Sequence, residues 1–150
     1  MKKIYIGADS AGYFMKEELA GYIKEKGYEV IDCGANSAES SHYPEFASAV
    51  AKNVQNDLEG SFGILVCGTG IGMSMTANKY KGIRAAVCGD TFSAKMTRMH
   101  NDANVLCLGA RVIGIGLAKD IVDLFLSSEF EGGRHEIRVN MIADVESAEK

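Results

Sequence analysis

Five short apolar runs divide the chain, each closed by a glycine. Lys3–Ile6 stops at Gly7, Tyr28–Ile31 leads to Cys33-Gly34, Phe62–Val66 to Cys67-Gly68, Ile83–Val87 to Cys88-Gly89, and Asn104–Leu108 to Gly109. The runs are partly β-branched and do not alternate cleanly between apolar and polar residues, as expected of strands buried on both faces. Between them the apolar positions recur at helical spacing. Tyr13, Leu19, Tyr22 and Ile23 share one face of a helix over 13–26. Phe46, Val50 and Val54 do the same over 44–56, with Pro44 suited to the first turn. Met73–Lys79, Thr91–Met99 and Val112–Leu126 read as further helices, and a last one spans Arg134–Val145. Strand then helix, repeated five times, predicts an α/β fold with a five-stranded parallel sheet wrapped on both faces and right-handed crossovers. Asn36–His42 is a polar loop and Gly132-Gly133 a late break; no repeat or linker interrupts a single domain over 1–150.

In open parallel sheets ligands sit beyond the carboxyl ends of the strands. Of the strand ends here, Cys67-Gly68-Thr69-Gly70-Ile71-Gly72 carries the sharpest chemistry. Three glycines in five positions free the backbone to turn tightly and present its N–H groups, and the start of a helix behind them favours negative charge. A cysteine at the lip of such an anion cradle is suited to a step that forms a thiolate and a developing oxyanion. Spacing separates the chemistries that use loops of this kind. A cysteine-dependent phosphatase wants arginine where Met73 stands, and a phosphate-loop NTPase wants lysine before Ser74. A receiver-type domain wants an acid at the position of Cys67. A non-catalytic nucleotide-binding module is the rival of another class: Gly7 and Gly12 open the first helix and Asp32 follows at the expected acidic distance, although the middle glycine is missing and Asp9 would repel a pyrophosphate.

Composition narrows the setting. Sixteen Lys+Arg against twenty Asp+Glu leave a net charge of −4, which argues against broad nucleic-acid or anionic-membrane binding. No apolar run approaches a membrane span, and the N-terminus is not a signal peptide, so a cytoplasmic protein is expected. Cys33, Cys67, Cys88 and Cys107 form no C-x-x-C pair, so a zinc or thioredoxin-type site is not indicated and the other three read as packing around one reactive thiol, Cys67.

A general acid and three cations complete the candidate set. His100 directly follows the Thr91–Met99 helix, with Asn101-Asp102 after it; His42 and His135 read as surface residues. Arg134 and Arg138, four apart, share a helical face, and Arg111 follows the fifth strand at the ligand edge. Three guanidinium groups directed at one spot would bind a phosphate.

These residues carry a resemblance. Gly7-x-Asp9, Tyr43-Pro44, Cys67 to Gly72, Ala77-Asn78-Lys79, Ile83-Arg84-Ala85, His100-Asn101-Asp102-Ala103-Asn104, Gly109-x-Arg111 and Glu131-Gly-Gly-Arg134-His135-x-x-Arg138 resemble, in order along nearly the whole chain, the type B ribose-5-phosphate isomerases and their relatives acting on galactose 6-phosphate and allose 6-phosphate. The resemblance implies a Rossmann-like α/β/α sandwich, a homodimer or tetramer with sites between subunits, and no metal or organic cofactor. It implies that Cys67 is the base moving a proton between C1 and C2, that the Gly68, Gly70, Ile71 and Gly72 amides hold the enediolate, and that His100, helped by Thr69, opens the sugar ring. Asp9 and Asn101 would hold hydroxyls, and Arg111, Arg134 and Arg138 the phosphate, some of them reaching in from the partner subunit. One departure stands out: Ser10 replaces the histidine usual after that aspartate. Ser10 donates a hydrogen bond but no charge, which leaves open a six-carbon substrate, or a role as one subunit of a hetero-oligomer.

Overall fold

The computed structural model describes residues 1–149. Its strands are β1 (Lys3–Ala8), β2 (Val30–Asp32), β3 (Ser61–Cys67), β4 (Ala85–Val87) and β5 (Val105–Gly109). Its helices are α1 (Tyr13–Glu25), α2 (Tyr43–Gln55), α3 (Ile71–Ala77), α4 (Thr91–Asn101), α5 (Ile115–Ser127) and α6 (Arg134–Ala148). The strands form one parallel sheet in the order β2-β1-β3-β5-β4. The α/β expectation therefore holds. The edge strands β2 and β4 have three residues each, shorter than their apolar runs, because an edge strand pairs on one side only.

The two faces of the sheet are distinct cores. Ile4, Ile6, Phe62, Ile64, Val66, Leu106 and Leu108 pack with Leu19 and Ile23 of α1, Ala94 of α4, and Ile121 and Phe125 of α5. Leu65, Cys67, Val105 and Cys107 pack with Val50 and Val54 of α2 and Met73 and Ala77 of α3. Successive side chains of a strand point to opposite faces, so both parities are apolar here, which is why the runs showed no alternation.

Helix ends depart from the periodicity where capping decides them. Pro44 lies in the first turn of α2 as expected. Helix α4 runs on through His100 and Asn101, so His100 belongs to its last turn rather than following it. The stop is Asp102, at φ 49, whose carboxylate pairs with Arg98 and Arg84 at 2.8 and 3.3 Å. Residues 110–112 form a turn, after which Val112 and Ile113 both donate to the Gly109 carbonyl, so α5 begins later than its apolar pattern. No helix among the described residues is long and apolar enough to cross a membrane.

Candidate active site

The carboxyl ends of β1, β3 and β5 bring one group of residues together. Cys67 ends β3, 5% exposed, and its Sγ accepts a hydrogen bond from the Gly70 N–H at 3.1 Å. The turn therefore directs a backbone N–H at the sulfur. Gly70 makes that contact at φ 81, a left-handed conformation that L side chains rarely adopt. Thr69 folds back on the same turn, its Oγ1 accepting from the Ile71 N–H at 3.2 Å. With only seven residues in α3, the amides of the loop itself, more than a long helix behind it, define the cradle.

Neighbouring loops fix this turn from both sides. The Ala110 and Arg111 N–H groups donate to the carbonyls of Cys67 and Gly68 at 2.9 and 3.0 Å. The Arg111 side chain lies against Gly68, where an added Cβ would be 3.7 Å from Nη1. On the β1 side, the Asp9 N–H donates to the Val66 carbonyl at 3.3 Å, which sets Asp9 beside Cys67, and Asp9 Oδ1 accepts from the Gly12 N–H at 3.1 Å. The Ser10 N–H donates to Ser41 Oγ at 3.0 Å, tying the 36–42 loop over this end of the sheet. Tyr43, at the start of α2, packs so closely on Gly72 that a Cβ there would lie 2.4 Å from Cε1. The Tyr43-Pro44 pair carried that position in the sequence, but nothing in it revealed the ring's approach to the loop.

The rest of the predicted set lies elsewhere. Cys67 pairs in register with Gly109, and Gly63 with Val105. Helix α4 returns antiparallel to the strands, so its last turn, with His100 and Asn101, sits where β5 begins. From Val105 to Gly109 a strand climbs about 13 Å. Within one chain, His100 and Cys67 are therefore at opposite ends of β5. Helix α6 packs on α4 and keeps the exposed Arg134 and Arg138 at the His100 end. The three arginines are divided within one chain: Arg111 stands with Cys67, and Arg134 and Arg138 stand with His100.

His135 corrects another expectation. It is 9% exposed rather than on the surface, because α6 turns it inward onto the end of α4. Its ring stacks on His100, centroids 4.0 Å apart and planes 8° from parallel. Burial, then the charges of His100 and Arg134, hold the His135 pKa below its ordinary value. Glu131 Oε1 lies 3.3 Å from His100 Nε2 and 3.4 Å from His135 Nε2. The spacing Glu131-x-x-x-His135 was visible in the sequence, but the partnership with His100 depends on tertiary packing. His42 is exposed, as read.

The remaining thiols and the rival motif resolve clearly. Burial pushes the Cys107 thiol up, and that of Cys88 to about 11, as fits packing residues; Cys33 is half-buried, and burial raises it too. Asp32, the candidate ribose-binding acid of a dinucleotide site, is occupied: both its carboxylate oxygens accept from Lys16 Nζ at 2.8 Å. Lys16 is fully buried and also donates to the Ala35 carbonyl at 2.6 Å.

The family model described as Ribose/Galactose Isomerase matches residues 4–142. Ribose-5-phosphate isomerase B of Escherichia coli is 50% identical over 147 residues, 97% of each chain. The structure of Clostridium thermocellum ribose-5-phosphate isomerase B superposes with a TM-score of 0.96 at 51% identity, covering 99% of both chains. That of Mycoplasma genitalium ribose-5-phosphate isomerase B with bound ribulose-5-phosphate does so with a TM-score of 0.94 at 40% identity, covering 97% of this chain and 96% of that one.

Proposed function

The chain belongs to the ribose/galactose isomerase family, and from that premise we propose that it interconverts ribose 5-phosphate and ribulose 5-phosphate through an enediolate. The observation that carries the mechanism is the Gly70 N–H directed at Cys67 Sγ within a glycine-lined turn. The Cys67 thiolate takes the proton from C2 of the open-chain aldose and returns it to C1. The amides of Gly68, Gly70, Ile71 and Gly72 receive the enediolate oxygen, acting where charge develops. His100, with Thr69, opens the ring as general acid and base. Asp9, Ser10 and Asn101 hold sugar hydroxyls, and the three arginines take the phosphate.

The separation of His100 from Cys67 gives this reading its quaternary form. Cys67, Thr69, Asp9, Ser10 and Arg111 of one protomer face His100, Asn101, Arg134 and Arg138 of a second, so each site is completed across a homodimer interface. Exposed apolar side chains support self-association: Ile137, Met141, Ile142 and Val145 on α6, and Ile71, Met75 and Phe92 around the cradle, are each more than half exposed. The four free cysteines are in keeping with a reducing cytoplasm. Ser10 makes the sugar's length the open point, so six-carbon sugar phosphates belong in the assay.

Replacing Cys67 by alanine tests the proposal. With ribose 5-phosphate as substrate, turnover should fall by at least about 10²-fold, the lower range for loss of an acid–base group, while circular dichroism stays unchanged. Near-normal turnover in that variant would remove the assigned base.

A further inference from the structure

We propose that His135 is a positioning residue for the ring-opening step: stacked on His100, it fixes the plane of the imidazole that acts on the sugar. This role depends on the one proposed for His100 above. The two rings come from different helices and meet with centroids 4.0 Å apart and planes 8° from parallel. His100 lies in the last turn of α4, just before the chain leaves the helix at Asp102. His135 covers one face of its ring, and Glu131 Oε1 stands 3.3 Å from its Nε2 edge. The His100 side chain stays 37% exposed, against 11% for that of His135. One ring is therefore packed and the other is left reachable by a sugar.

The chain is built to hold this stack. The Glu131 N–H donates to the Met99 carbonyl at 3.0 Å, tying the segment before α6 to the last turn of α4. Gly132 and Gly133 follow at φ 69 and 58, conformations that L side chains rarely adopt. Nothing lies within 4 Å of a Cβ added at either position, so the turn, rather than lack of space, calls for glycine. That turn points His135 inward onto α4 and leaves Arg134 and Arg138 exposed on the same helix. The helix that carries the arginines assigned to the phosphate thus also sets the ring of His100. Burial, first among the causes, holds His135 towards its neutral form, so the stack is free of like-charge repulsion while His100 carries a transferred proton.

Ring opening breaks the C1–O4 bond of the furanose. Its electron pair goes to O4 as a proton arrives there, and the C1 hydroxyl gives one up. Such transfers need the acting nitrogen within about 2.6–3.2 Å of the oxygen, and a misplacement of about 1 Å costs on the order of 10²-fold. An imidazole at a helix end, free to turn about its side-chain bonds, would lose that alignment; one clamped against a second ring keeps it. The proton transfer between C1 and C2 belongs to Cys67 and does not use the stack.

The two steps can be measured apart. Ribulose 5-phosphate cannot close a furanose, because the C5 hydroxyl that would do so carries the phosphate. Deuterium entering its C1 position from D₂O, followed by NMR, therefore reports proton transfer alone, whereas turnover of ribose 5-phosphate also needs the ring opened. In His135→Ala, kcat on ribose 5-phosphate should fall at least about tenfold, within the cost of a misplaced group. KM should change little, the pattern of an interaction made in the transition state, and C1 exchange should stay near the parent rate. His135→Phe, which restores a flat uncharged ring, should recover most of the lost turnover. Parental kcat in His135→Ala, a Phe variant as slow as the Ala variant, or exchange lost in step with turnover each overturns the positioning role. His100→Ala separates this from the reading beneath it: if that variant loses turnover and His135→Ala does not, only the role of His135 falls. If His100→Ala keeps its turnover, the ring-opening assignment falls and the role of His135 with it.

Discussion

Two inactive variants of this protein should restore activity when their subunits are mixed. The base and the ring-opening acid of the proposed reaction act on adjacent carbons of one small sugar, where each reacting group must approach to about 3–3.5 Å. In a single chain Cys67 and His100 stand at opposite ends of β5, separated by its climb of about 13 Å, so one sugar cannot meet both groups of the same chain. Cys67→Ala and His100→Ala dimers should therefore each be inactive. A hybrid dimer has one site with both substitutions and one with neither, the latter taking Cys67 from the His100→Ala subunit and His100 from the Cys67→Ala subunit. Equal mixing at random makes half the dimers hybrids, with one intact site of two, so activity should reach about a quarter of the parent value in a two-fold symmetric assembly. Subunit exchange between differently tagged variants, with hybrids counted by native mass spectrometry and turnover measured on ribose 5-phosphate, provides the assay. Hybrids that form without activity above the two parents would refute the crossed site.

Other substitutions probe the loop, the buried histidine and the thiols. Gly70→Ala should lower stability by about 2 kcal/mol, since it meets both the left-handed backbone penalty and the Leu108 backbone, 3.0 Å from an added Cβ; thermal denaturation should fall by roughly 4–8 °C. Gly21→Ala, in α1 with nothing within 4 Å of the new methyl, should instead raise it by about 2–4 °C through helix propensity. Because the His135 pKa is depressed from 6.5, its neutral form stabilises the fold above the unfolded value, and that contribution is lost as pH falls through the folded one. Urea midpoints should therefore drop between pH 7.5 and about 5, and less steeply in His135→Phe; equal slopes would exclude the effect. Iodoacetamide should modify Cys67 and Cys33 in the native protein, with Cys67 protected by ribose 5-phosphate, and reach Cys88 and Cys107 only after unfolding; native labelling of Cys107 would contradict its burial.

How much of this was legible depended on the range of the interaction. The strand order along the chain, the parallel sheet and the turn after Cys67 come from local signals: apolar runs, glycines and a proline at the head of α2. Helix boundaries shifted where a tertiary contact sets the end, as when Arg84 and Arg98 hold Asp102 beyond His100. Which candidate residues share one end of the sheet was not legible, because a linear motif does not say which end each residue occupies. Placing His100 at the start of β5 requires knowing that α4 runs back along the strands. His135 was misread for the same reason: a histidine beside an arginine resembles a solvated helix face until α6 is packed on α4. Arg111 was placed correctly because it directly follows a strand.

The buried ammonium of Lys16 also constrains how this protein can change over generations. If Lys16 is lost alone, the Asp32 carboxylate and the Ala35 carbonyl lose their shared donor; if Asp32 is lost alone, a buried cation keeps only the longer contact to the half-exposed Glu17, at 3.6 Å, the costlier error. Each single step is disfavoured while a simultaneous exchange for two apolar residues can be nearly neutral. The pair should therefore vary together among descendants of this chain, persisting as a two-residue unit. While it persists, the acid that a nucleotide's ribose would need stays engaged, and drift towards nucleotide binding is blocked at its first step.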